Sequence, residues 1–218
     1  MNDVTTKQLP IGVLISGRGS NLQAILDAVE RGEVSARVVV VISNREGAFG
    51  LERARRHGIP TLVFPRRDFA SREEQQAAVA AELLRRGVEL VVLAGFDQVV
   101  GAALLESFPN AIINIHPSLL PAFGGGLHAQ REALEHGVKL TGCTVHLVTQ
   151  EVDAGPILLQ AAVEVRDDDT EETLANRILV QEHRLLPKTI DLIARKRVRI
   201  EGRRVLSTPE YDRPRLAS

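Results

Sequence analysis

Short, continuous apolar runs rich in β-branched residues are the feature that most constrains how this chain folds. Five such runs lie in the first half of the sequence, at 11–15, 37–43, 61–64, 88–94 and 111–115. Strands that are apolar on both sides are typical of a parallel sheet with helices on both faces. Helical patterns separate the runs, at 21–31, 47–57, 71–86 and 101–108. The alternation therefore predicts an α/β fold with a doubly wound, mostly parallel sheet.

The pattern changes after Pro117. Residues 118–127 (SLLPAFGGGL) are rich in glycine and proline and are predicted to form a loop. The rest of the chain predicts two strands, one long helix and a closing hairpin, at 142–149, 157–165, 170–196 and 198–205. Pro187 lies inside that helix and is expected to kink or split it. Because no repeat or low-complexity linker interrupts the chain, we predict one domain with two lobes and loose termini.

The composition argues against several classes of protein. Lys and Arg number 27 and Asp and Glu 28, so no general affinity for nucleic acid is expected, and aromatic residues make up only 3%. No apolar run approaches the roughly 20 residues of a spanning helix, and no signal-peptide pattern is present. The single cysteine, Cys143, argues against a disulfide framework or a multi-cysteine zinc site and is read as inert packing. We therefore expect a cytoplasmic protein with no membrane partner.

The segment 16–22 (SGRGSNL) joins the first predicted strand to the first helix. Glycines let a backbone approach a ligand closely, and the free amides and positive dipole of a helix N-terminus hold phosphate. The segment lacks the Gly-Lys-Ser/Thr of a Walker loop and the third glycine of a dinucleotide fingerprint. It is therefore either a phosphate-binding turn or a tight strand-to-helix turn with a Ser or Asn cap.

Asn114 and His116 lie at the carboxyl end of the fifth predicted strand, directly before Pro117. Ligands bind at that edge of open parallel sheets, and strand alternation places the two side chains on one face, about 6–7 Å apart. An amide donor beside an imidazole stabilises an oxyanion and moves protons. The pair is either catalytic or a histidine and an asparagine that serve the core and a turn.

Several other polar residues are ambiguous from the sequence alone. Asp153 reads more readily as a turn residue than as a catalytic group. Glu182 lies in the apolar row of the long helix, so it is either at the edge of that row or meets a polar group in a cleft. Arg72 is either solvated or near a phosphate. No metal site is predicted, because metal-ligand spacing is absent around His57, His128, His136 and His146.

Seven motifs together resemble those of the folate-dependent phosphoribosylglycinamide formyltransferase family: ISGRGSNLQ, AFGLERAR, VVLAGF, NIHPSLLP, TGCTVH, DAGPI and QEH. The resemblance runs from about Ile11 to Leu186. It implies a single formyltransferase domain, 1–218, with a Rossmann-like phosphate-binding lobe at about 11–110 and a catalytic lobe at about 111–206 that completes the folate cleft. It also implies formyl transfer from 10-formyltetrahydrofolate to the amine of 5′-phosphoribosylglycinamide in purine biosynthesis. The implied partners are small molecules, with no metal or nucleic acid, in a monomer or homodimer.

The resemblance also implies roles for individual residues. Asn114, His116 and Asp153 match the catalytic trio. The ribonucleotide substrate would be bound by Gly19, Ser20, Asn21, Arg72, Pro117 and Glu182. Folate would be bound, largely through backbone groups, by Phe96, Asp97, Gln98, Val99, Val100, Asn114, Thr149, Gln150, Val152 and Asp153. This chain departs from the family at Asp97 and Gln98, where Met-Arg often stands, and their side chains are expected to face outward. Its glycine loop, 122–128, is one residue longer and is expected to be mobile.

Other functions remain as alternatives to this one. Hydrolysis of 10-formyltetrahydrofolate uses a similar Asn, His and Asp, but those relatives carry an additional N-terminal regulatory domain and have no use for a phosphate turn. Formylation of initiator methionyl-tRNA needs a further domain and a basic RNA face. A nucleotide-sensing module without catalysis would leave Asn114 and His116 without a role.

Overall fold

The computed structural model describes residues 8–207, and the expectation of loose termini concerns residues outside that range. Seven strands form one sheet: β1 Leu9–Ile15, β2 Ala36–Ser43, β3 Thr61–Val63, β4 Leu90–Leu93, β5 Ile112–His116, β6 Leu140–Leu147 and β7 Ile157–Glu164. Their order is β3-β2-β1-β4-β5-β6-β7. The first five strands pair in parallel, whereas β6 and β7 are antiparallel to their neighbours. The predicted α/β fold with a mostly parallel sheet is confirmed.

Among the described residues, six α-helices and a short 3-10 helix, Arg66–Asp68, accompany the sheet. The α-helices are α1 Ser20–Glu30, α2 Phe49–Arg56, α3 Arg72–Arg85, α4 Ala102–Ser107, α5 Ala129–Glu135 and α6 Glu171–Ala194. The predicted hairpin is present as β8 Val198–Glu201 and β9 Arg204–Ser207. Within residues 8–207, none of these helices combines the length and the apolarity needed to cross a membrane. The division into two lobes at about residue 110 stays a prediction, since one continuous sheet runs through both.

Buried residues form two clusters, one on each face of the sheet. In β1 the side chains of Ile11, Val13 and Ile15 pack on the face covered by α1, α2, α5 and α6. Leu14 points to the other face, where α3 and α4 supply Val79, Leu83 and Leu104 among others. This alternation is what a strand buried on both sides requires. Because the chain crosses from one face to the other between β3 and β4, the carboxyl ends of β1 and β4 border a crevice, the usual ligand position in such sheets.

The long helix α6 is not split at Pro187, since it runs without a break from Glu171 to Ala194, whereas the expected kink stays a prediction. Its N-terminus is fixed by a capping box in which Thr170 and Thr173 exchange side-chain to backbone hydrogen bonds. Leu174, Ile178, Leu186 and Ile190 belong to the core on that face. Burial along this row keeps the helix continuous in spite of the hydrogen bond that proline removes.

Candidate active site

Three polar side chains meet where β5 ends. Strand β5 carries Asn114 and His116, and the turn after β6 brings Asp153 beside them, with His116 Nδ1 3.3 Å from Asp153 Oδ2. A fourth residue, His146 of β6, lies directly across the antiparallel ladder from Asn114. Its Nε2 is 3.4 Å from Asp153 Oδ1 and 3.3 Å from Asn114 Nδ2. Both imidazoles are almost fully buried. The sequence-predicted trio is therefore one cluster, and His146 is a member that was not predicted.

Backbone carbonyls set the orientation of the two rings. His116 Nε2 donates to the carbonyl of Phe123, at 2.8 Å, so Nδ1 is the nitrogen that faces Asp153. His146 Nδ1 donates to the carbonyl of Leu147, at 2.9 Å, which leaves Nε2 for the cluster. Because one nitrogen of each ring donates to a carbonyl, the second nitrogen, which faces the carboxylate, carries a proton only in the imidazolium form. A proton delivered to this cluster is thus shared among groups already in hydrogen-bonding positions.

Asp153 is held as an anion by its surroundings. Burial opposes ionisation, but hydrogen bonds from His146 and from the Gly125 amide and the charge of a protonated His116 outweigh it and lower the pKa of Asp153. The Gly125 amide donates to Asp153 Oδ2 at 2.8 Å. Asp153 also has a positive φ of 53°, which is uncommon for residues other than glycine but which Asp adopts more readily than most. The turn therefore fixes a carboxylate against two histidines.

A cleft of about 460 Å³ opens beside the cluster. Apolar side chains of β4, β5 and the segments that follow β4 and β6 line it. Asn114, His116, His146 and Asp153 converge on it, and its other polar lining residues include Asp97, Gln98 and Thr149. Every residue of the predicted folate set except Gln150 lines this cleft. Pro117, which was predicted on the ribonucleotide side, lines it too, as do the loop residues Gly125, Gly126 and Leu127. An apolar cleft with a few convergent polar groups is typical of a small-molecule site.

The glycine turn lies at the carboxyl end of β1, directly before α1. Gly19 has a φ of +69°, and a Cβ there would lie 2.6 Å from the Cα of Gly50, so glycine is required on two grounds. Gly19 occupies the N-cap position of α1 and no side chain caps the helix. The alternative of a turn capped by Ser20 or Asn21 is therefore wrong, and the first amides of α1 are left for another acceptor.

Asn21 points into the protein, where its Nδ2 donates to Glu182 Oε2 at 2.7 Å. Asn21 Oδ1 is buried and has no hydrogen-bond partner within residues 8–207. Glu182 is 8% exposed, and burial raises its pKa against the hydrogen bond from Asn21. Of the two alternatives for Glu182, the structure shows the one in which it meets a polar group.

Cys143 is fully buried, and burial raises the pKa of its thiol to about 12, as inert packing requires.

Two predicted residues are placed differently from the rest. Arg72 begins α3, which packs on the face of the sheet opposite to α1, and its side chain is exposed. One turn later in α3, Gln76 donates to the Val99 carbonyl, so Arg72 is on the side of the cleft rim rather than of the glycine turn. Asp97 turns toward the end of β2, where its carboxylate accepts a bond from Asn44 Nδ2 and pairs with Arg45. These contacts hold Asp97 in place at the rim of the cleft, which it also lines.

Within the described part of the chain, no group of three or more His, Cys, Asp or Glu side chains is arranged to hold a metal ion. The polar cluster combines an amide, two imidazoles and one carboxylate, which is the composition of a proton-transfer and oxyanion site.

Comparisons with known proteins identify the family of this chain. The sequence profile described as formyl transferase matches residues 9–190. The phosphoribosylglycinamide formyltransferase of Escherichia coli (strain K12) is 43% identical over 190 residues, which cover 87% of this chain and 89% of that protein. The crystal structure of glycinamide ribonucleotide transformylase 1 from Symbiobacterium toebii has a TM-score of 0.91 and 56% identity, covering 92% of this chain and 94% of that one.

A longer relative is also similar. The trifunctional purine biosynthetic protein adenosine-3 of Gallus gallus is 43% identical over 197 residues, which are 90% of this chain but 20% of that protein. This chain thus spans about a fifth of the length of that relative. The resemblance inferred from the sequence motifs is confirmed, and the chain belongs to the formyl transferase family.

Proposed function

We propose that this chain transfers the formyl group of 10-formyltetrahydrofolate to the amine of 5′-phosphoribosylglycinamide, giving formylglycinamide ribonucleotide and tetrahydrofolate in purine biosynthesis. The observation that carries the proposal is the convergence of Asn114, His116 and Asp153 at the polar end of an apolar cleft. Relatives that match nearly the whole chain carry this activity in their names.

The cleft suits the folate. Its volume of about 460 Å³ and its walls of Leu93, Phe96, Val100, Ile115 and Val148 fit a flat, largely apolar ring system. Backbone groups of the segments after β4 and β6 are available at the rim to recognise polar ring atoms. In this proposal the carbon that carries the formyl oxygen lies beside Asn114 and His116, and the remainder of the folate extends toward the exposed side chains of Val99 and Val152.

The ribonucleotide binds on the glycine-turn side. Its 5′-phosphate is held by the amides of Gly19, Ser20 and Asn21 at the N-terminus of α1, where the helix dipole also favours an anion. Glu182 receives a hydroxyl or the amine of the substrate, and the hydrogen bond from Asn21 Nδ2 holds its carboxylate in place. Arg72 is exposed at the start of α3, on the face of the sheet opposite to α1, so its contribution to phosphate binding is the weakest of the proposed roles.

Asn114 and His116 act on the oxygen that gains charge. When the substrate amine attacks the formyl carbon, a C–N bond forms and the carbonyl oxygen becomes an oxyanion; the bond to N10 then breaks. The amide of Asn114 and a protonated His116 donate hydrogen bonds to that oxygen. Asp153 faces His116 at 3.3 Å and stabilises the imidazolium, and the proton released by the amine moves to N10 through this cluster.

His116 can donate a hydrogen bond to the oxyanion only if one of its present contacts is released. His116 Nε2 is engaged with the Phe123 carbonyl and Nδ1 faces Asp153, so neither N–H is free to meet an oxyanion. Because Phe123 directly precedes the three glycines 124–126, the loop has the backbone freedom to withdraw that carbonyl when substrate binds. We therefore include the movement of this loop in the proposed reaction.

One experiment tests the proposal against its alternatives. The purified protein is mixed with 10-formyltetrahydrofolate with and without phosphoribosylglycinamide, and tetrahydrofolate and formylated product are both quantified. Transfer requires that both products form in equal amounts and only with the ribonucleotide. Tetrahydrofolate with formate in the absence of ribonucleotide would indicate a hydrolase, and binding without either product would indicate a non-catalytic module. A cytoplasmic location and a monomeric or homodimeric state stay predictions.

A further inference from the structure

The beginning of α2 holds the carbonyl groups of the glycine turn. The Gly50 amide donates to the Gly17 carbonyl at 3.1 Å, and Arg53 Nε donates to the Arg18 carbonyl at 3.0 Å. Helix α2 thus fixes two consecutive peptide planes of the turn, although none of its residues takes part in the proposed reaction.

The orientation of these two peptide planes also determines where the N–H groups of the turn point. In a trans peptide the N–H points opposite to the C=O of the same plane. The Arg18 N–H shares its plane with the Gly17 carbonyl, and the Gly19 N–H shares its plane with the Arg18 carbonyl. Because both carbonyls are directed at α2, both N–H groups are directed away from it. Consecutive amides that point to one side form a concave anion site.

Arg53 is itself fixed on three sides. Its Nη1 donates to Gln23 Oε1 in the first turn of α1, at 3.1 Å, and its guanidinium lies 5.0 Å from the centre of the Phe49 ring. Gln23 is held in turn by Asp27. The planar fork of an arginine reaches the turn and α1 together, which the single point charge of a lysine does not reproduce. The contact of the Gly19 and Gly50 backbones keeps the two segments this close.

We propose that Arg53, together with the Gly50 amide, is a positioning residue that aims the amides of Arg18 and Gly19 at the 5′-phosphate of the substrate. The inference rests on the proposed function, since it assigns the phosphate to this turn. Arg53 acts through the Arg18 carbonyl and does not contact the phosphate. Its role is to arrange the site in advance, so that the phosphate binds without first ordering the turn.

The main test compares Arg53→Met with Arg56→Met. Arg56 lies on the same helix, is exposed and pairs with Glu52 of its own helix, so its replacement is a matched control. In Arg53→Met the KM for phosphoribosylglycinamide should rise about tenfold, the effect of weakened hydrogen bonds to a charged group. The kcat and the KM for 10-formyltetrahydrofolate should stay within about twofold of wild type. Repeating the assay with the dephosphorylated nucleoside should remove the difference between Arg53→Met and wild type. An equal defect with both substrates would overturn the proposal.

Two further measurements separate positioning from direct binding. In amide-resolved NMR of the ligand-free protein, the signals of Arg18 and Gly19 should move in Arg53→Met and not in Arg56→Met. Arg53→Lys keeps the charge but loses the planar Nε donor, so its KM should match that of Arg53→Met. A KM near wild type in Arg53→Lys, with unmoved amide signals in Arg53→Met, would make Arg53 a direct phosphate ligand and overturn the proposal.

A phosphate-binding experiment tests the role of Arg53 even if the chain is not a transferase. Inorganic phosphate is titrated into wild type and Arg53→Lys while the Arg18 and Gly19 amide signals are followed. Weaker phosphate binding in the variant supports the positioning role even if no formyl transfer is detected. Equal binding in both proteins contradicts it. Thermal melting of each variant shows whether the fold is retained, and Arg53→Lys is the milder substitution should Arg53→Met fail to fold.

Discussion

Replacing Asp153 with asparagine removes a negative charge that faces both histidines of the cleft and leaves the shape of the side chain almost unchanged. The asparagine oxygen can still accept from the Gly125 amide and face His116, while its NH₂ group faces His146 Nε2. Since His146 Nδ1 donates to the Leu147 carbonyl, Nε2 is able to accept that bond. The substitution thus tests the charge of Asp153 rather than its bulk.

The distance between His116 Nδ1 and Asp153 Oδ2 gives the magnitude. Two unit charges separated by 3.3 Å interact by about 5 kcal/mol at an effective dielectric constant of about 20, and by about 1 kcal/mol in bulk water. The pair is almost fully buried but borders an open cleft, so the value lies between these limits. If this attraction stabilises the imidazolium in the transition state, its loss should lower kcat roughly 10²–10³-fold.

The assay is the rate of formyl transfer at saturating concentrations of both substrates, with thermal melting as a check on the fold. Asp167→Asn is the matched control, because Asp167 is exposed and pairs with Lys139 far from the cleft. The pKa of Asp153 is lowered, so Asp153 is ionised throughout pH 5–9 and the variant should be slow over that whole range. A folded Asp153→Asn protein whose kcat is within threefold of the Asp167→Asn control would refute the reasoning.

Four other expectations follow from the same structure. Asn114→Ala should lower kcat about 10²–10³-fold through loss of an oxyanion donor, with little change in either KM; a few-fold change in steady-state kcat would rule that role out. Gly19→Val should weaken ribonucleotide binding in calorimetry and spare folate binding, because the added side chain meets Gly50; normal ribonucleotide affinity would reject the phosphate assignment. Burial raises the pKa of Glu182, so its stabilising contribution is complete below the unfolded value of about 4.3 and is lost as pH rises through the folded value. Glu182→Gln, which does not titrate, should therefore gain melting temperature relative to wild type between pH 5 and 8, and a constant difference would contradict this. Hydrogen exchange at 124–126 should slow when analogues of both substrates are bound, whereas unchanged exchange would identify an ordinary surface loop.

The parallel half of the sheet was predictable because each of its strands and helices is indicated by a pattern of neighbouring residues. Each β-branched run is apolar on both faces, and each is followed by a helical pattern, so element type and order follow from neighbouring residues. A split at Pro187, which local rules allow, does not occur, because the burial of α6 outweighs the hydrogen bond that proline removes. Local rules also did not indicate α5, whose seven residues follow a glycine loop and bury only Ala129 and Ala133.

The candidate site was predictable only in part. Asn114 and His116 are two residues apart on one strand, so their proximity follows from alternation. Asp153 alone read as a turn residue, and its role came from the motif resemblance. His146 was missed, because a lone histidine in an apolar strand is most simply explained by packing. The signal lies in the antiparallel register of β5 and β6, which sets His146 opposite Asn114 across 32 residues of sequence. A local sequence pattern does not predict pairing over such a distance along the chain.

The change from parallel to antiparallel strands explains why the cluster forms at β5. A parallel neighbour would direct its carboxyl end, and the loop that follows, to the same edge as the end of β5. Strand β6 instead enters at that edge and runs back beside β5, so a residue inside the strand, His146, faces Asn114 within the ladder. The turn between β6 and β7 then places Asp153 against both histidines, and the Gly125 amide joins the glycine loop to the same carboxylate. The strands β5 and β6 thus fix the two histidines and the side-chain amide of Asn114. The two loops supply the carboxylate of Asp153 and the carbonyl of Phe123. Any movement of the glycine loop therefore changes the surroundings of Asp153 and His116, since the loop bonds to both residues.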